Sequence, residues 1–281
     1  MTDGRTDTSV PEDRGGPDAT APDVTAPDGI RLWVVVPAWN EERGIGATMT
    51  ALAAQRDRDF TLVVVDNAST DGTRSAVERA CAAAGLAVEL ITEPRKGTGA
   101  AADTGVRHAI AHGATHVLRT DADTLPAPGW TAAARRAFGG GADLVTGPMR
   151  ARSDEVRLKV WERAVLPGVI GVCQTFGRLR PSNRAPGLHG PYRMSPGCNL
   201  GVSATAYLAS GGFPRTAIEE VHEDRELVNR VRRVSGRVEL HRDLVVHASV
   251  RRLRAYGLLG TLRWYLDHGH HPDVVDVRAI A

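Results

Sequence analysis

The sequence predicts an α/β fold with a mostly parallel central sheet and helices on both of its faces. Three observations carry this. Continuous apolar runs rich in valine recur from Ile30 onward, most are followed by a helical pattern, and polar residues stand at the carboxyl ends of four successive runs. Unbroken β-branched runs suit strands buried on both faces, and their alternation with helices is the signature of βαβ units.

In chain order, Leu32–Val36 reads as a strand and Thr48–Gln55 as its helix, Leu62–Val65 and Thr73–Ala84 repeat the pair, and Val88–Ile91 with Ala100–Ala111 repeat it again before the strand Val117–Arg119. After Pro148 the alternation fails. Ser153–Leu166 reads as a helix, and Gly177–Ser195, rich in Arg, Pro and Gly, as a long loop assigned to acceptor binding. Asn199–Val202 reads as a strand, Thr216–Val234 as helical toward its carboxyl end, Val238–Leu240 and Leu244–His247 as short strands, and Leu253–His268 as an amphipathic helix.

Residues 1–29 repeat Pro-Asp and Ala-Pro, carry seven acids and two arginines, and hold almost no large apolar side chain. That composition predicts a disordered tail. The organisation expected is therefore 1–29 as tail and 30–281 as one domain, in two parts, 30–125 and 126–250, with 251–281 forming a C-terminal helix and histidine-rich tail. Cys81, Cys173 and Cys198 form neither a disulfide framework nor a zinc spacing, which points to a cytoplasmic protein. No run is long and apolar enough to span a bilayer, leaving peripheral membrane contact open. Excluding the acidic tail, the chain carries +7 within an overall +2, which suits a diphosphate ligand or simple surface solvation.

Ligands of open α/β sheets bind beyond the carboxyl ends of the strands. There the sequence places Pro37-Ala38-Trp39-Asn40-Glu41, then Asp66, then Lys96-Gly97, then Asp121-Ala122-Asp123. If Asp121 and Asp123 continue an extended backbone, their side chains share one side, where two hard carboxylates can share Mg²⁺ or Mn²⁺ with a diphosphate. Asp66 can accept a base N–H or satisfy its own turn. Trp39 either stacks near a base or packs in the core, and Lys96 reaches phosphate or is solvated.

Val34-Val35-Val36-Pro37-Ala38-Trp39-Asn40-Glu41-Glu42, Val64-Val65-Asp66-Asn67-Ala68-Ser69-Thr70-Asp71-Gly72-Thr73, and Thr120-Asp121-Ala122-Asp123 resemble, in order and spacing, the motifs of family 2 glycosyltransferases. The resemblance covers roughly residues 31–250. It implies a GT-A fold, a Rossmann-like nucleotide-binding sheet fused to a smaller acceptor-binding part, with a nucleoside diphosphate sugar donor and Mn²⁺ or Mg²⁺. It implies that Pro37, Ala38, Glu41 and Asp66 hold the nucleoside, Asp121 the ribose and Asp123 the metal. Trp39 and Lys96 join the donor-binding set.

Gly197-Cys198-Asn199-Leu200-Gly201 and Gly211-Gly212-Phe213-Pro214 resemble the family's acceptor side, and His222 to Leu227 its Glu-Asp motif. That match makes Asp224 the general base of an inverting transfer, with Glu223 orienting acceptor or loop. His247, 23 positions beyond Asp224, matches a C-terminal histidine that binds metal or pyrophosphate in several GT-A enzymes. Asp103 stands where the family often has Asn. Arg251, Arg252 and Arg254 either neutralise diphosphate or carry surface charge, and His268, His270 and His271 read as a solvated tail. The expected acceptor is a lipid, saccharide or small metabolite, and no nucleic-acid partner is expected. Nucleotidyl transfer would need a glycine-rich basic loop after the first strand, which Pro37 to Glu41 do not supply. A silent sugar-nucleotide-binding module would be suspected were a carboxylate missing, and all three are present.

Overall fold

The computed structural model describes residues 29–152, 154, 181–215 and 223–251. Seven strands form one sheet, in spatial order β3 (Glu89–Thr92), β2 (Thr61–Asp66), β1 (Leu32–Ala38), β4 (His116–Arg119), β8 (Leu200–Ser203), β6 (Leu144–Thr146) and β9 (Val238–Leu240). The first four run parallel, β8 is antiparallel to both of its neighbours, and β6 and β9 are parallel to each other. A second sheet orders β5 (Leu125–Pro126), β10 (Val246–Ala248) and β7 (Met149–Ala151).

The continuous valine runs are explained by burial on both faces. On β1, Leu32, Val34 and Val36 face a core shared with α1 (Ile45–Ala53), α2 (Thr73–Ala84) and α4 (Trp130–Gly139). Trp33 and Val35 face the opposite core, made with α3 (Thr98–Ala111) and two later helices, α5 (Ala204–Ser210) and α6 (Glu223–Val234). Each fully buried valine contributes about 1.5–3 kcal/mol relative to exposure, so neither face tolerates a polar residue until the strands end. Leu227, Val228 and Val231 seat α6 on the sheet, while Glu223, Asp224 and Glu226 in its first turn and Arg232 and Arg233 in its last oppose the helix dipole favourably.

The expected α/β architecture, mostly parallel with helices on both faces, is observed, and Thr73–Ala84 and Val238–Leu240 have the expected bounds. The strand expected over Leu244–His247 lies at Val246–Ala248, because Leu244 and Val245 first close a turn through the Leu244 and Val245 N–H groups on His241 and Asp243 carbonyls. Residues 181–195 of the expected long loop fold against α6, where the buried Arg232 side chain donates to the carbonyls of Asn183, His189 and Gly190. The tail of residues 1–28, the helices expected over Ser153–Leu166 and Leu253–His268, Arg252, Arg254, and His268, His270 and His271 lie outside the described residues.

Candidate active site

The strand ends expected to form a site do converge. β1 delivers Pro37 and Ala38, both paired with β2 in register, Ala38 opposite Asp66. Beyond Ala38, Asn40 adopts a left-handed φ of 50°, which Asn tolerates better than most residues. Its N–H donates to Ser69 Oγ at 3.0 Å and its Oδ1 accepts from Thr70 N–H at 2.8 Å, while Glu41 N–H donates to Thr73 Oγ1 at 2.8 Å. The loops after β1 and β2 are thus fastened to each other.

Asp66 is buried, and its Oδ1 accepts the Ser69 N–H at 3.1 Å, so one oxygen holds its own turn. Asn67 completes the neighbouring loop: its Nδ2 donates to the carbonyls of Glu93 and Arg95, and its Oδ1 accepts from Gly97 N–H at 2.9 Å. That fixes the segment carrying Lys96, whose ammonium lies 5.2 Å from the Trp39 ring centroid. Trp39 is therefore half-buried at the site beneath a cation rather than packed in either core.

The backbone at Asp121 does not continue as a strand. Thr124 N–H returns to Asp121 O at 3.1 Å, making a turn with Ala122 and Asp123 at its corners, and Thr48 Oγ1 anchors the turn on Ala122 O at 2.8 Å. The expected extended pair sharing one side is therefore replaced by two carboxylates held by different cations. Asp121 Oδ1 lies 3.2 Å from Arg119 Nη2, and Asp123 Oδ2 lies 2.8 Å from Arg251 Nη2. The same Arg251 nitrogen meets Glu41 Oε1 at 3.0 Å and Oε2 at 2.9 Å. Loss of solvation raises the Asp121 pKa, with Asp123 and Glu223 adding to it and Arg119 opposing.

On the other side, Asp224 lies in the first turn of α6 beside the tight Gly197–Asn199 turn. Its Oδ2 accepts from Gly197 N–H at 3.2 Å and its Oδ1 from Arg225 N–H at 2.6 Å. Desolvation and the adjacent Glu223 charge push its pKa up to about 6, against the pull of those N–H groups and of Arg119. The Gly197–Asn199 turn is rigid because Asn199, wholly buried, accepts from Trp130 Nε1 at 2.8 Å and donates to Leu244 O at 2.8 Å. Glu223 is buried and its Oε1 lies 3.1 Å from Arg119 Nη2. Cys198, between these groups, has its thiol pKa driven well up by burial and by the Asp121 and Asp123 charges, which removes it as a nucleophile.

His247 sits on β10 opposite Leu125, two residues past Asp123. Among the described residues no three His, Cys, Asp or Glu side chains converge as a cation site. Asp103, where the sequence departs from the family pattern, is buried and structural, accepting from Tyr207 OH at 2.8 Å, Arg107 Nε at 2.9 Å and Arg215 Nη1 at 3.1 Å. Sequence reasoning missed Arg119, Arg152 and Asn67 as builders of this site. For Arg119 a signal existed, a charge closing an otherwise apolar strand. Arg152, whose Nη1 donates to Asp123 O at 2.8 Å, had none.

The family model for glycosyl transferase family 2 matches residues 33–200. An uncharacterized glycosyltransferase of Mycobacterium bovis and one of Mycobacterium tuberculosis are each 35% identical over 122 residues, 43% of this chain and 50% of the relative. The chain thus spans about half the length of the curated relatives it matches. Among solved structures, the mannosyltransferase of Pyrobaculum calidifontis in complex with GDP-Man and Mn²⁺ superposes with a TM-score of 0.58 at 25% identity, over 92% of this chain and 70% of that one. Glucosyl-3-phosphoglycerate synthase of M. tuberculosis in complex with Mg²⁺ and UDP gives a TM-score of 0.52 at 19% identity, over 87% and 81%. S. aureus TarS in complex with UDP-GlcNAc gives 0.56 at 17%, over 78% and 58%, a likeness of fold alone.

Proposed function

The chain belongs to glycosyl transferase family 2, and from that premise we propose that it transfers a sugar from a nucleoside diphosphate donor to an acceptor hydroxyl or amine with inversion at the anomeric carbon. The observation that carries the reading is the convergence of Asp121 and Asp123, past the end of β4, with Asp224 in the first turn of α6, the two tied together through Arg119 and Glu223. Pro37, Ala38, Trp39, Glu41, Asp66, Lys96 and Asp121 form the donor side. Trp39 offers a ring face and Lys96 a cation beside it, suited to a base or a phosphate.

Asp123 is a fit for a divalent cation because it already holds a positive charge, the Arg251 guanidinium, bridged to Glu41. Asp123, with His247 from the neighbouring strand, would hold Mn²⁺ or Mg²⁺, which supplies compensation for the negative charge gathering on the departing diphosphate. A cation at Asp123 would compete with Arg251 for that carboxylate, and Arg251 so displaced would be placed to pair with the diphosphate.

Asp224 accepts the acceptor proton as the oxygen attacks. With a pKa of about 6 it is mostly ionised at neutral pH yet basic enough to take a proton, the range in which a general base works best. The Gly197 and Arg225 N–H groups aim it, and Glu223 orients acceptor or loop. A cytoplasmic enzyme with a lipid, saccharide or small-metabolite acceptor fits two buried free cysteines, Cys81 and Cys198, and among the described residues no helix is long and apolar enough to cross a membrane. The test is hydrolysis of GDP-mannose and UDP-N-acetylglucosamine with and without Mn²⁺, water serving as acceptor, with the anomer of the released sugar followed by NMR. Metal-dependent release of the inverted anomer is expected. Release of the retained anomer, or no release from any nucleoside diphosphate sugar, contradicts the proposal.

A further inference from the structure

Arg119 closes β4 with a charge in the middle of the molecule. Its side chain is 2% exposed, among the largest fully buried side chains. Among the described residues its Nε and Nη1 make no hydrogen bond. All of its hydrogen bonding there runs through Nη2, 3.2 Å from Asp121 Oδ1 and 3.1 Å from Glu223 Oε1. A buried cation with two nitrogens that find no hydrogen bond among the described residues is a poor device for satisfying a core, since unmade hydrogen bonds in the interior are costly. What it does accomplish is to join a residue two positions away to one 104 positions away, the end of β4 to the first turn of α6.

The slot is shaped for it. The Phe213 ring lies 5.2 Å from the guanidinium carbon, a geometry that favours a cation over the ring face. A Cβ on Gly197 would fall 2.8 Å from Nη2 and 2.9 Å from Cζ, so only glycine leaves room, and the Gly197 N–H is the donor that aims Asp224. On the far side a Cβ on Gly99 would fall 2.3 Å from Pro214 O and 3.2 Å from Glu223 Cβ. Arg119, Gly197 and the first turn of α6 therefore interlock, and the apolar anchors Leu227, Val228 and Val231 lie further along that helix.

We infer that Arg119 is a positioning residue: by holding Asp121 and Glu223 through one nitrogen, it fixes the first turn of α6, and with it Asp224, against the donor-binding end of β4. The inference rests on the proposed role of Asp224 and extends it to a residue that touches neither substrate.

The test uses the full chain with Arg119→Met, Arg119→Lys, Glu223→Met, the Arg119→Met/Glu223→Met double variant and, in parallel, Asp224→Asn. Three quantities are read: single-turnover hydrolysis of GDP-mannose or UDP-N-acetylglucosamine, calorimetric affinity for the matching nucleoside diphosphate, and Tm. We expect Arg119→Met to slow single turnover by about 10²-fold, within the span that a positioned base contributes, while nucleoside diphosphate affinity changes by less than about threefold. Arg119→Lys restores about tenfold. Adding Glu223→Met to Arg119→Met costs less than about threefold more, because the tie is already cut and effects within one unit are not additive.

Equal losses in affinity and rate, no rescue by Lys, or additive effects in the double variant would mean a merely structural arginine and overturn the inference. A wild-type rate in Arg119→Met overturns it as well. Arg119→Gln is held to the Arg119→Met criteria should the methionine variant not fold. A normal rate in Asp224→Asn sinks the base assignment itself. A slow Asp224→Asn beside a normal Arg119→Met sinks the positioning role alone.

Discussion

Asp224→Asn should make the protein more stable at neutral pH while nearly abolishing transfer. In the folded protein, the carboxyl pKa rises from 3.8 to about 6 because burial and Glu223 disfavour the charge. At ~1.4 kcal/mol per unit, the two units cap the cost of the ionised form at ~3 kcal/mol. The sign follows from the raised value. Below the unfolded pKa both states are protonated and there is no cost. Between about pH 3.8 and 6 the unfolded chain has released the proton that the folded protein still holds, so stability falls as pH rises across that window and levels once the folded carboxyl has also ionised. Asn never ionises and escapes this loss, but it accepts less strongly from Gly197 and Arg225 N–H, so the net gain should be about 1–2 kcal/mol at pH 7. For a domain of this size that is a rise in Tm of roughly 2–8 °C, shrinking toward zero near pH 4. Calorimetric scans of both proteins between pH 4 and 8, with single-turnover rates alongside, measure both halves. Turnover should drop by about 10²–10⁴, and the wild-type rate should fall about tenfold per pH unit below 6. A less stable Asn variant at pH 7, or a near-wild-type rate, would refute the reasoning.

Asp123→Ala should abolish Mn²⁺-dependent donor binding with the fold intact, as judged by calorimetry and circular dichroism; unchanged Mn²⁺ dependence contradicts the metal assignment. Arg251→Ala should act oppositely on the empty protein, binding Mn²⁺ about tenfold tighter by electron paramagnetic resonance, because a charge-assisted competitor worth about 1.5 kcal/mol or more is gone; weaker Mn²⁺ binding would mean Arg251 holds the site together. Gly197→Ala sets a methyl 2.8 Å from the buried Arg119 nitrogen and should cost about 1–3 kcal/mol in denaturant unfolding, together with activity; a neutral result would mean the slot is loose.

The half of the chain through β4 was legible because it is local. Val34 to Val36 and Val63 to Val65 are buried on both faces, so each strand writes itself as an unbroken run, and each helix follows within a few residues. Asp66, Asp121 and Asp123 could be placed because polar residues are excluded until a strand stops. The second half hides for the converse reason. β8 reaches the sheet only by inserting antiparallel between β4 and β6, and β6 and β7 are three residues long, too short for a period to show. α4 does carry its buried face at helical spacing, Trp130, Ala133, Ala134, Ala137 and Phe138, so it was legible though not read. The turn at Ala122–Asp123 is set by Thr48, 74 residues earlier. The two arginines that organise the carboxylates act across 104 and 210 residues, separations at which a sequence carries the partners but not their meeting. Arg251 could be named only as a cation for diphosphate or for the surface, and Arg119 left a trace as a charge where the strand pattern calls for an apolar side chain.

The central claim, a metal-assisted nucleoside diphosphate sugar site at the end of β4, is tested most directly by a thermal-shift panel of UDP-, GDP- and dTDP-sugars with Mn²⁺ and with a chelator. A ligand at a hundred times its Kd adds about 2.7 kcal/mol, so one base should raise Tm by roughly 5–10 °C with Mn²⁺, lose most of that with chelator, and lose it in Asp123→Ala. If no nucleoside diphosphate sugar raises Tm under any of these conditions, or if the rise is indifferent to both Mn²⁺ and Asp123, the account is contradicted.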